Sequence, residues 1–566
     1  MVVAAYAFHP GDTPEQVIAR SVSNQLDSFT QEVGAGNVDL PESELQRRFL
    51  RARLAYKKIE WAAEYFTPAV ARLINGEPVP EAEPVVEENP VDGPPRVLVI
   101  QPEGLQVIEG ILFPHYDTAR KKELRERLER LQTNSAECKR YFDNIEVLRW
   151  QVFDAAKLEV FRVMTLGIAG FDERSIDESA AALQGLGEAM KNYGDDSLFR
   201  AAVAYLHKHP DFNSFDRAHF ITAYGNPLSA AITREDHPVI RYNRLLRQDA
   251  ATLFDKDAFN ADAYAPTPTT AEKIALGKRL FFDPTLSGPQ TRSCASCHQP
   301  DKTFADGLAK NTVIGTNESL PRNTPTLINC ALQPAQFYDL RALSLEDQAR
   351  DVLENPKEMQ GSLAEIARRL DGDTVYRRLF STAFPEGGKK TFPETGKIDT
   401  LEIVSALASY VRSLVNLNSR FDSYMRGDST ALNQEEIRGF NLFMGKARCG
   451  TCHYMPLFNG VFPPLYDRME TEVLGPTGPN DTDAGRFNQV PVAFMLHSFK
   501  TTTVRNAAHT APYMHDGVFS TLEAVMDFYN KGGGHAENQT LSTDSLHLDA
   551  SETKAVIAFI KSLDSR

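Results

Sequence analysis

At 566 residues the chain is too long for a single core, and three or four domains are expected. Its 42% hydrophobic and 24% charged residues are the proportions of a soluble globular protein. A formal net charge of −15 argues against nucleic acid and anionic membranes as partners, and no run approaches the ~18 apolar residues of a membrane span.

The start, Met1 to Phe8, is apolar but short and lacks the basic flank of a secretory leader, so a removed or trimmed leader is expected. The first ~250 residues read as helical. Leu45, Phe49, Tyr56, Ile59 and Phe66 recur at helical spacing, with Asp39 and Glu42 as a capping box and Pro68 as the stop. The Pro/Glu-rich residues 79–95 read as an exposed loop. Helical patterns follow over 121–148, 151–167, 177–193, 198–207 and 238–254. Their charged faces are read as solvated surface. His9, His115, His207, His209, His219 and His237 are scattered and read as ordinary polar residues, not ligands. Residues 261–270, rich in Ala, Pro and Thr, read as a linker.

Beyond the linker stand two copies of one motif, Cys294-Ala295-Ser296-Cys297-His298 and Cys449-Gly450-Thr451-Cys452-His453. C-x-x-C-H is the signature of covalent c-type haem attachment: two thiols add to the porphyrin vinyl groups and the adjacent His supplies an axial nitrogen. Two covalently bound haem c groups are therefore expected. Each motif follows a Gly-Lys stretch, 276–281 before the first and 442–447 before the second, a weak internal duplication compatible with two homologous haem domains. Haem attachment of this kind takes place outside the cytoplasm, so the periplasm is the expected compartment. Cys138 and Cys330 remain, as buried small hydrophobes or as a disulfide.

Five further motifs carry a resemblance. They are Leu280-Phe281-Phe282-Asp283-Pro284; Pro321-Arg322-Asn323-Thr324-Pro325-Thr326; Phe337-Tyr338-Asp339-Leu340-Arg341; Glu354-Asn355-Pro356-Lys357-Glu358-Met359; and Thr510-Ala511-Pro512-Tyr513-Met514-His515-Asp516-Gly517. With this ordered set, the chain from about Ala271 onward resembles the bacterial dihaem cytochrome c peroxidases and their relative MauG. The N-terminal helical part resembles nothing identified.

With the helical pattern over 1–255 the chain is expected to be mainly α, and the resemblance implies a first cytochrome c domain over 271–425 and a second over 426–566. It assigns the peroxide site to the haem held by His298 and the transfer haem to His453. Gln348 and Glu358 match the family's distal pair, with Glu358 as proton shuttle and Gln348 as hydrogen-bond partner of the bound oxygen. Tyr338 falls where the family places an aromatic relay, often Trp, between the haems. Asn323, Thr510 and Pro512 match the ligands of a calcium ion, one through its side chain and two through carbonyls. In the peroxidases the second haem's Met falls fourteen residues after the His of the fifth motif. That position is Tyr529, and MauG also uses Tyr there; Met514 and then Met526 are the alternatives. Many relatives block the first iron with a loop His. No His occurs between Gln299 and Cys452, and Gly315 stands near that position, so an open or water-bound iron is expected, with Lys302, Lys310 or an N-terminal residue as other ligands.

The leading expectation is a periplasmic peroxidase that reduces hydrogen peroxide with electrons from a small redox protein, a cytochrome c or a cupredoxin. Alternatives are a MauG-like enzyme oxidising side chains of a partner protein, and a non-catalytic dihaem electron carrier. Oligomeric state is left open, a homodimer included.

Overall fold

The computed structural model describes the chain except residues 1–10, 35–37, 77–82, 88–95, 170–172, 237–244, 248, 386–396, 476–480, 541 and 566. The protein is mainly α-helical, with two short antiparallel strand pairs, Glu83–Glu87 with Arg96–Ile100 and Thr471–Glu472 with Phe499–Lys500. Among the described residues no helix is long and apolar enough to cross a membrane. The fold divides into two units: residues 1–241, 248–253 and 443–451, and residues 242–247, 254–442 and 452–566.

The first unit is a helical bundle. Thr13 opens it with a capping box: its hydroxyl accepts from Gln16 N (3.3 Å), Gln16 Oε1 accepts from Thr13 N (3.0 Å), and Pro14 takes the first helical position. The Pro14–Val33 helix turns Ile18, Val22, Leu26 and Phe29 inward and packs on Glu42–Lys57 and Lys121–Asn144. Glu42–Lys57 in turn lies against Ser175–Met190. A π-turn, Val163–Gly167, packs on the Cys449–Thr451 turn. Cys138 is buried beside the Thr67 hydroxyl (3.3 Å), and all six cysteines are free.

Several local expectations are corrected here. Pro41, not Asp39, is the N-cap of Glu42–Lys57, and the Asp39 carboxylate is drawn off by Lys121. The run does end before Pro68, at Phe66, and Pro68 also takes the first position of a new helix, Pro68–Asn75. Residues 83–87 of the expected loop form a strand; most of the rest of that stretch lies outside the described residues. The expected helix over 238–254 is absent where described. Leu246 forms a bridge with Phe259, and Arg247 N donates to Ala258 O (2.8 Å). The helix falls earlier, at Asn226–Asp236. The expected linker is packed: Tyr264 Oη donates to Tyr466 O (2.7 Å), and Thr270 caps the next helix.

The second unit repeats one packing device. Helix Ala271–Phe281 crosses Thr400–Arg412 so closely that a Cβ on Gly277 would lie 1.9 Å from Ala406 O and 3.0 Å from Tyr410 Cβ. Helix Gln434–Met444 meets Ala550–Ser562 in the same way: a Cβ on Gly439 would lie 1.9 Å from Ala555 O and 2.9 Å from Phe559 Cβ. The two crossings set Gly277 beside Gly439, whereas the Gly-Lys alignment sets Gly277 beside Gly445. A buried ion pair accompanies the first crossing, Arg412 with Glu346 (2.8 and 2.6 Å). Elsewhere in the unit Arg505 is buried against Asp422 (2.9 and 2.7 Å).

Candidate active site

The first motif is wound into a single turn, with Cys297 N (3.2 Å) and His298 N (2.9 Å) both donating to Cys294 O. His298 Nδ1 lies 3.0 Å from Phe304 O. A carbonyl only accepts, so Nδ1 carries the proton and the Nε2 lone pair is left for a metal. Burial pushes the thiols up, Cys294 to about 12 and Cys297 to about 11. A redox dithiol or a thiolate metal ligand needs the opposite shift. Protonated thiols in apolar surroundings, one turn from an imidazole of fixed tautomer, fit haem c.

The second motif begins with the Cys449–Thr451 turn of the first unit, where the Cys449 thiol donates to Ala447 O (3.4 Å) and burial pushes it up to about 12. Cys452 and His453 belong to the second unit. Burial pushes the His453 imidazole down to about 4, against a hydrogen bond with the Phe458 main chain.

Glu358 is brought to the first motif. Helix Leu345–Glu354, capped by Ser344 at Asp347 N (3.0 Å), is followed by a turn in which Glu358 N and Gln360 N donate to Asn355 O. Gly288 N donates to Met359 O (2.9 Å) and Arg292 Nη1 to Glu358 O (3.2 Å), tying that turn to the segment entering the motif. Asn355 Nδ2 donates to Glu358 Oε1 (2.7 Å). The Glu358 charge is felt at the Cys297 thiol. Burial raises the Glu358 carboxyl above its ordinary range, while Arg341, Asn355 and Arg292 pull the other way. Gln348 lies half-buried on the preceding helix, one turn before Asp351, whose charge also acts on Glu358. No hydrogen bond joins Gln348 to Glu358 among the described residues.

Tyr338 is buried, its carbonyl accepting from Lys500 N (2.7 Å). Burial pushes its phenol well up, Asp516 and Asp306 add to this, and Arg322 opposes it. Arg322 is held by Asp483 (2.7 Å) and Asp339 (2.9 Å). Asn323 N donates to His515 O (2.7 Å), and Asn323 Nδ2 to Leu308 O (2.8 Å). His515 stacks on Phe499 at 3.8 Å and reaches Asp481 at 3.1 Å. Ligating atoms of Asp481, His515 and Asp516 lie within 4.8 Å of one another. Of the axial candidates, Tyr529 is half-buried on helix Leu522–Asn530, edge-on to Phe528 at 5.6 Å. Met514 is half-buried with φ +70°, and Met526 is buried. Sequence reasoning missed Asn355 as the partner of Glu358, although it stands inside a quoted motif, and missed Arg292 and Asp306 altogether.

Two haem-attachment turns, one beside a half-buried acid, define a dihaem c-type oxidoreductase. Residues 271–430 match the family model of di-haem cytochrome c peroxidase. The chain is 36% identical over 321 residues to the methylamine utilization protein MauG of Methylorubrum extorquens, covering 56% of this chain and 86% of that protein. It is 34% identical to the cytochrome-c peroxidase IdrP1 of Pseudomonas sp. strain SCT, covering 56% and 91%. To the cytochrome c551 peroxidase of Nitrosomonas europaea it is 35% identical, covering 53% and 82%. The chain belongs to the family of dihaem cytochrome c peroxidases and MauG, and it is an oxidoreductase of the peroxidase type that holds two haems. Little more than half of this chain accounts for most of each relative.

Proposed function

We propose that this protein is a periplasmic dihaem cytochrome c peroxidase that reduces hydrogen peroxide to water with electrons from a small redox protein, a cytochrome c or a cupredoxin. The observation that carries the reading is Glu358: an acid beside Cys297, its carboxyl raised above the ordinary range by burial, with one oxygen oriented by Asn355. Bound haem supplies the redox-active iron at which the O–O bond is cleaved. Around it His298 would be the ligand, with its ring set by Phe304 O. Glu358 would give a proton to the departing oxygen and take one from the attacking peroxide, and Gln348 would orient the oxygen by hydrogen bonding. Overall, one peroxide, two protons and two electrons become two waters.

The reading divides the chain into a helical region over 1–255 and two cytochrome c domains over 271–425 and 426–566; the repeated Gly277 and Gly439 crossings support it. The second haem would be held by Cys449, Cys452, His453 and Tyr529, and Tyr338 would relay electrons between the haems. No protein ligand is expected on the peroxide side. Gly315 faces open space where relatives carry a blocking His, and Lys302 Nζ is engaged by Asp306 O at 2.8 Å. A calcium ion would sit on Asn323, Thr510 and Pro512; the Asn323 N bond to His515 O draws that loop to the 510–515 turn.

A MauG-like oxidation of partner side chains is the second reading, favoured by Tyr529 and the missing blocking His. The test is steady-state turnover with peroxide and reduced cytochrome c. The wild type turns over, and Glu358→Gln loses about a hundredfold or more in kcat. Wild-type turnover unchanged in Glu358→Gln would sink the assignment. A slow wild type with a long-lived oxidised state would favour the second reading, and no reaction with peroxide would leave an electron carrier.

A further inference from the structure

A second buried acid near the first motif has no place in the mechanism above. Asp306 is 1% exposed, and no salt bridge reaches it among the described residues. Its carboxylate accepts three hydrogen bonds from neutral donors: Leu308 N to Oδ1 (2.9 Å), Asn311 Nδ2 to Oδ2 (2.9 Å) and Thr324 Oγ1 to Oδ2 (2.7 Å). A set of donors alone is what a carboxylate accommodates. No cation contacts the carboxylate itself, because Lys302 Nζ donates to the Asp306 main-chain oxygen (2.8 Å), so its field spreads into a low-dielectric surrounding and is not cancelled by a contact ion pair. That field reaches His298, Cys297 and Tyr338.

The same residue ends a strained turn. Thr303 and Phe304 both sit in the left-handed region, at φ +59° and +57°, which side-chain-bearing residues adopt only when the surroundings hold them there. The turn is closed by Phe304 N to Gln299 O (2.8 Å), Gln299 N to Ala305 O (3.0 Å) and Lys302 Nζ to Asp306 O (2.8 Å), and Thr326 Oγ1 donates to Thr303 O (2.6 Å). Its product is one carbonyl, that of Phe304, aimed at His298 Nδ1. Asp306 follows it by two residues and is anchored from Asn311 and Thr324. A buried charge and a strained carbonyl therefore converge on one imidazole, and both push electron density toward Nε2.

We propose that Asp306 is a positioning residue for the first haem: it holds the Phe304 carbonyl on His298 and, as an unpaired buried negative charge, sets the donor strength of that ligand and lowers the reduction potential of the haem it carries. This rests on His298 being the ligand of that haem.

The experiment is a redox titration of the holoprotein, with the ferrous iron–histidine stretch read by resonance Raman. Asp306→Asn removes the charge: the first haem's potential rises, the stretch falls in frequency, and the second haem stays where it was. Asn311→Ala removes one donor and leaves the charge less screened, so the first potential moves the opposite way. Opposite signs are what a merely structural role does not produce. Shifts of the same sign, no shift, or equal shifts at both haems would overturn the proposal. If Asp306→Asn does not accumulate as holoprotein, Asn311→Ala decides alone: a fall supports the proposal, and a rise or no change overturns it. Mass analysis of the peptide bearing Cys294 and Cys297 separates this from failure of the underlying reading, in which that peptide carries no haem.

Discussion

Tyr529 and Met514 cannot both complete the second haem, and their local settings differ. Tyr529 follows Leu522 by seven residues and Met526 by three on one helix, so it shares their inward face. Its backbone is helical and its ring needs only a rotamer to present oxygen. Met514 sits in a turn with positive φ, closed by Gly517 N to Met514 O (3.2 Å), so its side chain is directed by a strained backbone. We expect Tyr529→Phe to change the ferric spectrum of the second haem and Met514→Leu to leave it alone; a sulfur-to-iron band lost in Met514→Leu would reverse the assignment. The two attachment motifs, 294–298 and 449–453, were legible because covalent attachment uses neighbours in sequence: C-x-x-C-H declares itself. Asp306 was not. It meets His298 only through a turn with two left-handed residues, and nothing in a one-dimensional pattern marks Thr303 and Phe304 as left-handed.

Among elements, the two glycine crossings carry the strongest constraint. At each, the carbonyl of an alanine occupies the space of a missing Cβ, with an aromatic Cβ one turn further on. Neither neighbour is the flexible end of a side chain, so an added methyl must separate the helices. Overpacking of this sort costs about 1–3 kcal/mol or more. Gly277→Ala and Gly439→Ala should each lower the thermal unfolding midpoint by several degrees, measured by visible absorbance, whereas Gly194→Ala, at a glycine with open space around it, should not. Unchanged midpoints in both crossing variants would show that the helices yield freely. The long periodic helices of the N-terminal region were legible, since their buried residues keep a 3.6 period. Residues 245–254 deceived because Leu245, Leu246, Leu253 and Phe254 are all buried, yet the first two are held by bridge hydrogen bonds to 258–260. Apolar spacing reports burial and leaves backbone conformation to tertiary partners.

At the scale of the whole molecule, the N-terminal unit gathers several buried charges. Arg53 pairs with Glu178, Lys57 with Glu60 (2.7 Å), and Tyr65 donates to Asp154 (3.2 Å). Arg162 is shared by Glu159 and Glu64 (3.9 Å). Glu159 is fully buried, and its Oε1 has no hydrogen-bond partner among the described residues. Burial raises its carboxyl well above the ordinary value of about 4.3, Arg162 opposes this, and Glu60 and Glu64 add to it. A carboxyl raised in the fold releases its proton first in the unfolded chain. Its contribution is therefore intact below about 4.3 and is lost as pH rises through the raised value, by at most about 1.4 kcal/mol per pH unit. Both tryptophans, Trp61 and Trp150, lie in this unit, so their fluorescence reports its unfolding. The fluorescence midpoint of the wild type should fall between about pH 4.5 and about pH 7, and Glu159→Gln should flatten that decline, because the amide keeps the shape and has no proton to lose. A variant that declines as steeply as the wild type would place the pH sensitivity on another carboxylate of the cluster, Glu64 first, since it competes for the same guanidinium.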